Sequence, residues 1–264
     1  MYGSILYKEK KISFSDRGTG NTLVLLHGFL ENMSMWDYFS KKLSDEFRVI
    51  TIDLPGFGGS ECIHRVHLME QMAAVVNEVL KYLEVDKCLM IGHSMGGYVT
   101  LAFADKFPGK LQGFGLFHSH ALADSADAKR NRNRAVDIVK ADRGGFIYNF
   151  IPDLFAPENV SKHEKEIEKL FAEAMLISRE AIIAALEGMK HRTDKLDVLT
   201  NARVPVLFIL GKKDSRIPFE KTLSQASLPA VSEILVLDNA GHMGHIEERQ
   251  ETLEVVWGFA EKVF

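Results

Sequence analysis

Ile91-Gly92-His93-Ser94-Met95-Gly96-Gly97 puts one serine between glycines where a strand-like run gives way to a helical one. Upstream, Lys87-Cys88-Leu89-Met90-Ile91 is apolar after its first residue and reads as a buried strand; downstream, Tyr98 to Ala104 reads as a helix. The chain must therefore turn within a few residues. A turn that tight forces the serine into strained backbone and brings neighbouring chain close, so glycine is expected at 92 and 96, where a Cβ would collide. The serine hydroxyl then stands clear of the sheet edge. Gly-x-Ser-x-Gly alone is a weak pattern, and the strand-turn-helix setting makes it a strong one.

Similar strand signals recur on both sides of this turn. Thr22 to Leu26 is a continuous apolar run, as expected of a strand covered on both faces, and Arg48 to Ile52, Leu111 to Phe117, Val204 to Leu210 and Glu233 to Leu237 read as further strands. Ile5-Tyr7 and Lys11-Phe14 alternate and predict a hairpin at one sheet edge, set off by Gly18-Thr19-Gly20. Helical spacing appears in Trp36 to Leu43, in the face Leu68, Met72, Val75, Val76, Val79 and Leu83, and in Leu253, Val256, Ala260 and Val263. Strand and helix alternate, which predicts an α/β fold: a mostly parallel central sheet with helices on both faces. Sites in such sheets lie at the carboxyl ends of strands. Ser94, Asp214 and His242 each follow a predicted strand end.

The pattern changes in the middle. From Ala121 to Leu199 there is no convincing buried strand but several helical stretches, and Ser161-Lys162-His163-Glu164 has the Ser-x-x-Glu spacing of a helix start. The expected organisation is core (1–119), helical insertion (120–199) and core again (200–264). Helices inserted there would form a cap above Ser94. The run Lys129-Arg130-Asn131-Arg132-Asn133-Arg134 is surrounded by Asp124, Asp127, Asp137 and Asp142 and reads as a solvated helix face. Phe146, Ile147, Tyr148, Phe150, Ile151, Leu154 and Phe155 form a denser apolar cluster that packs the cap onto the core, with Phe146 and Phe150 candidates to line a pocket.

Composition narrows the function classes. The 264 residues are 46% hydrophobic and 26% charged, which fits one soluble globular domain of this size. Thirty-two basic and 36 acidic residues give a net charge of -4, so no global field favours nucleic acid or an anionic membrane, and small neutral substrates fit best. Met1 to Lys11 carries charges where a secretory signal needs an apolar core, and no run spans a bilayer, so a cytoplasmic enzyme is expected. Cys62 and Cys88 stand alone and read as reduced thiols.

The chain resembles the α/β-hydrolase family over nearly its whole length. The resemblance rests on Gly92-His93-Ser94-Met95-Gly96-Gly97, His27-Gly28-Phe29, Asp53-Leu54-Pro55-Gly56-Phe57-Gly58-Gly59-Ser60, Gly211-Lys212-Lys213-Asp214 and Gly241-His242. It implies Ser94 as nucleophile, His242 as base and Asp214 as the carboxylate that orients the base, in the family's chain order. It also implies an oxyanion hole from the backbone N–H groups of Phe29 and Met95, with no metal or organic cofactor. A serine hydroxyl needs such a base, because it is a poor nucleophile at neutral pH. Asp238 is the reserve candidate for the acid, and Asp53 reads as a loop-holding residue.

The remaining histidines have other expected roles. His27 and His93 are expected to order the loops, and His118 and His120 are candidates to line the pocket. His245 has no carboxylate–histidine cluster beside it in the sequence, so a metal site is not expected there.

The resemblance also excludes relatives. Dehalogenases and epoxide hydrolases of this fold carry aspartate at the elbow, prolyl aminopeptidases carry Trp where Met95 stands, and lipases carry His-Gly-Gly-Gly where Phe29 follows Gly28. The leading expectation is a serine esterase for small or medium, largely neutral esters. The alternatives are a carbon–carbon bond hydrolase or cofactor-free perhydrolase with the same triad, and a ligand sensor acting through a protein partner.

Overall fold

Apolar residues stand on both faces of the central strands, and the sheet is accordingly covered on both sides. The computed structural model describes residues 1–264. An antiparallel hairpin opens the sheet, β1 (Tyr2–Tyr7) against β2 (Lys10–Arg17), with Ile5 opposite Ile12. Six parallel strands follow: β3 (Thr22–Leu26), β4 (Arg48–Ile52), β5 (Cys88–His93), β6 (Leu111–Phe117), β7 (Val206–Gly211) and β8 (Ser232–Leu237). Their spatial order is β1-β2-β4-β3-β5-β6-β7-β8. The half-exposed β1 forms one edge, where the sequence places the hairpin.

The connecting helices of the first half are α1 (Asp37–Leu43), α2 (Met69–Tyr82) and α3 (Met95–Lys106). Between β6 and β7 lie α4 (Ala126–Ala141), α5 (Arg143–Phe150), α6 (Glu164–Ala174), α7 (Arg179–His191) and α8 (Leu196–Thr200). The chain closes with α9 (Phe219–Gln225), α10 (Gly244–Glu247) and α11 (Arg249–Val263). Strand alternation decides which face each helix covers. Leu23 and Leu25 of β3 join Trp36, Phe39, Val256 and Phe259 from the α1 and α11 side, while Val24 and Leu26 join Met72, Val76, Val99 and Phe103 from α2 and α3. The helices of the insertion pack onto the second of these cores through Val139, Ile147, Ile151 and Ile182. No helix is long and apolar enough to cross a membrane.

One local expectation fails. Ser161 does not start α6, which begins at Glu164 with His163 at its N-cap and no side-chain cap bond. Pro157 instead starts a short 3-10 helix that carries the chain through Ser161 to Lys162, so the Ser-x-x-Glu spacing falls across two elements. The basic run lies on α4, where Arg130 pairs with Asp127, but Arg132 leaves the solvated face to bond the buried Asp124 at 2.6 Å.

Candidate active site

β5 ends at His93 and α3 begins at Met95, so Ser94 alone makes the turn. Its backbone sits at φ 51°, ψ −113°, a conformation that costs a non-glycine residue about 1–3 kcal/mol. The neighbouring chain holds it there: the Ser94 N–H donates to the Phe117 carbonyl at 2.9 Å, and the Ser119 hydroxyl donates to the Ser94 carbonyl at 2.8 Å. A Cβ on Gly92 would strike the Gly96 carbonyl, and one on Gly96 the Leu26 carbonyl. The two glycines are thus required by close approach of backbone.

Three strand ends deliver three side chains to one point. Ser94 Oγ lies 2.8 Å from His242 Nε2, and His242 Nδ1 lies 2.8 Å from Asp214 Oδ2. Oδ1 of Asp214 accepts the N–H groups of Arg216 at 2.8 Å and Ile217 at 2.9 Å. Burial alone would raise the Asp214 pKa; His242 and the imidazole hydrogen bonds outweigh it and hold the carboxyl well below the usual range. Asp238 is exposed and paired with Lys212 at 2.7 Å, away from this line.

The Phe29 and Met95 N–H groups have no hydrogen-bond partner within the chain, which leaves two donors free beside the serine loop. From α5, Phe150 and Phe146 turn onto the Phe29 ring, with centroids 5.6 Å and 6.5 Å away. The insertion also touches the loop of His242 directly. The His242 N–H donates to the Leu154 carbonyl, and Glu247 accepts the N–H groups of Gly241 and Ala156, each at 2.9 Å.

His118 and His120 do not line a pocket at Ser94. His118 is fully buried behind Asp214, where its Nδ1 donates to Oδ2 at 3.0 Å and its Nε2 accepts the Gly244 N–H at 3.2 Å. It follows β6 in the sequence as expected, but its φ of 48° turns the chain inward at that point. His120 packs edge-on to Tyr98 and faces Arg192, in a small cavity with Met69 and Leu101. His27 and His93 do order loops: His27 Nε2 accepts the Leu54 N–H at 2.9 Å. Asp53 likewise accepts the N–H groups of Met33 and Gly59.

His245 requires a second correction. It has a carboxylate–histidine cluster after all, because the turn after Phe29 brings Glu31 beside it and His93; the donor atoms of the three lie within 4.8 Å of one another. Glu31 Oε2 and His93 Nδ1 are 2.8 Å apart, the length of a direct hydrogen bond. Two ligands on a tetrahedral zinc ion stand roughly 3.3 Å apart, given bond lengths of about 2.0–2.1 Å. Both ring nitrogens of His245 and Oε1 of Glu31 lack hydrogen-bond partners, although His245 Nε2 and Oε1 face each other at 3.9 Å. Glu31, Glu247 and the role of His118 carried no signal in the sequence, since their partners are distant or are backbone groups.

These histidines also set an acid limit. Burial lowers His118 and His120 to about 4 and His245 to about 3, whereas the unfolded chain titrates near 6.5. The unfolded state therefore binds more protons below about pH 6.5, and stability falls as pH drops from there toward 4. His93 has a raised pKa, because Glu31 outweighs its burial, so its contribution is fully present throughout that window. Thermal melts should show Tm falling by about 5 °C or more between about pH 6.5 and about pH 4.5. A flat profile would contradict these assignments.

Known proteins agree with this architecture. The chain is similar to a solved thermophilic esterase from Thermogutta terrifontis, with a TM-score of 0.93 and 33% identity over 100% of this chain and 99% of the other. It is 28% identical to 2-hydroxy-6-oxo-2,4-heptadienoate hydrolase from Pseudomonas putida, covering 92% of this chain and 90% of that one. It is 27% identical to the dihydrolipoyllysine-residue acetyltransferase component of the acetoin cleaving system of Pseudomonas putida, covering 92% of this chain and spanning 64% of that protein's length. The model of the alpha/beta hydrolase family matches residues 23–255. With its eight-stranded sheet and this match across most of its length, the chain belongs to the alpha/beta hydrolase family.

Proposed function

We propose that the protein is a serine hydrolase of small or medium, largely neutral esters. The observation that carries this reading is the hydrogen-bonded line Ser94 Oγ–His242–Asp214, with both links at 2.8 Å. Ser94 Oγ attacks the acyl carbon while its proton passes to His242 Nε2. The carbonyl oxygen becomes an oxyanion and accepts the N–H groups of Phe29 and Met95, a contribution on the order of 3 kcal/mol per donor. As the carbon–oxygen bond to the alcohol breaks, His242 gives its proton to the leaving oxygen. Water then attacks the acyl-enzyme, losing its proton to His242; as the bond to Ser94 breaks, His242 returns that proton to Ser94 Oγ and the acid departs.

Similarity to an esterase over the full length supports an ester substrate, and apolar Phe146 and Phe150 over Phe29 support a neutral acyl group. Similarity to a hydrolase of an oxo-dienoate supports a second reading, carbon–carbon bond cleavage by the same triad. p-Nitrophenyl esters of increasing acyl length, a vinylogous diketone and a fluorophosphonate probe with intact mass separate these readings. Ester turnover with one adduct on Ser94 is expected. Faster turnover of the diketone would favour the second reading, and labelling without turnover a ligand sensor. Absence of both turnover and adduct would remove the serine-hydrolase assignment.

A further inference from the structure

Behind the Ser94–His242–Asp214 line, two side chains tie together the loops that carry it. Glu31 Oε2 accepts the Gly28 N–H at 2.7 Å and lies 2.8 Å from His93 Nδ1. His93 Nε2 lies 2.9 Å from the carbonyl oxygen of His242. Glu31 is 3% exposed and His93 1%. Between Gly28 and Glu31, Leu30 is held at φ 64°, a strained conformation for such a side chain. Strain of this kind persists only when the surroundings over-determine the loop.

Hydrogen-bond valence fixes the charges. A carbonyl oxygen only accepts, so the proton of the His242 contact belongs to His93 Nε2. A carboxylate also only accepts, so Nδ1 carries a second proton, and an imidazole protonated at both nitrogens is a cation. A neutral pair would place a hydroxyl at Oε2, yet that atom receives the Gly28 N–H at the short distance of a charge-assisted bond.

We infer that Glu31 and His93 form a buried ion pair that positions both the oxyanion loop and the main chain of His242 against Ser94. The inference rests on the serine-hydrolase reading. Glu31 fixes Gly28, and so the turn that leaves the Phe29 N–H free; His93, one residue before Ser94, fixes the carbonyl of the residue supplying the base. The charged groups and histidines around His93 are Glu31, Asp214, His27, His118, His242 and His245. Burial opposes ionisation of Glu31, but His93, with smaller help from His245 and His27, lowers it to about 2.

The test joins nitrogen-15 spectroscopy of labelled histidines to kinetics. In the wild-type protein both His93 nitrogens should remain protonated from about pH 6 to about pH 8, across the ordinary histidine range. Glu31→Gln should return His93 to one proton. It should also lower kcat by about 10- to 100-fold with KM within about threefold, since a displaced oxyanion donor acts on the transition state. A singly protonated wild-type His93 at about pH 7, or folded Glu31→Gln with kcat within about twofold, would overturn the inference. The spectroscopic arm needs no variant to fold. A wild-type protein with a His93 imidazolium but no turnover and no Ser94 adduct would instead overturn the hydrolase reading, and the positioning role with it.

Discussion

Replacing Ser94 with alanine is expected to reduce ester turnover by about 10⁵-fold or more and to abolish fluorophosphonate labelling. The magnitude follows from the chemistry: without Oγ there is no acyl-enzyme, and the rest of the site only binds and polarises. Stability should change by less than about 1 kcal/mol, because alanine meets the same steric cost as serine at φ 51° and the hydrogen bonds that hold the turn come from the backbone and Ser119. Circular dichroism and melting therefore serve as the control. A fully active Ser94→Ala protein would remove the mechanism.

Asp214→Asn should cost about 10⁴-fold in kcat. The Arg216 and Ile217 N–H groups hold an oxygen at the Oδ1 position, so the asparagine amide nitrogen is placed at Oδ2, facing the imidazoles of His118 and His242. His242 must then accept at Nδ1 and carry its proton on Nε2, the tautomer that cannot take the proton of Ser94. Asp238→Asn should leave kcat within about twofold, since that side chain pairs with Lys212 at the surface. Reversed effects in the two variants would move the acid to Asp238.

The sheet and the Ser94–His242–Asp214 grouping were legible because each rests on local sequence. Thr22 to Leu26 announces a strand covered on both faces, and Ser94, Asp214 and His242 each follow a strand of the same parallel sheet, which brings them to one edge. What stayed hidden depends on contacts between distant residues. Glu31 meets His93 across 62 positions, and nothing in the composition of either loop signals it. His118 looked like a pocket residue for its place after β6, but the chain turns there at positive φ and the ring is bonded to Asp214 and the Gly244 N–H. Ser161 failed for a different reason: a proline four residues earlier had already committed the backbone to a 3-10 turn.

The pairing of β6 with β7 across the helical insertion has a consequence for synthesis. As the chain emerges from the ribosome, β1 to β6 can associate while β7, β8 and α11 are still unmade. Such a half-sheet ends in β6, packed on α3 but with amides that lack their neighbouring strand, a template for association with other chains. Ser94 is already at its turn in that intermediate, but Asp214 and His242 arrive only with the final quarter of the chain. The growing polypeptide is therefore most exposed to aggregation until β7 docks, whereas the Ser94–His242–Asp214 line closes only later, once β8 and the His242 turn are made.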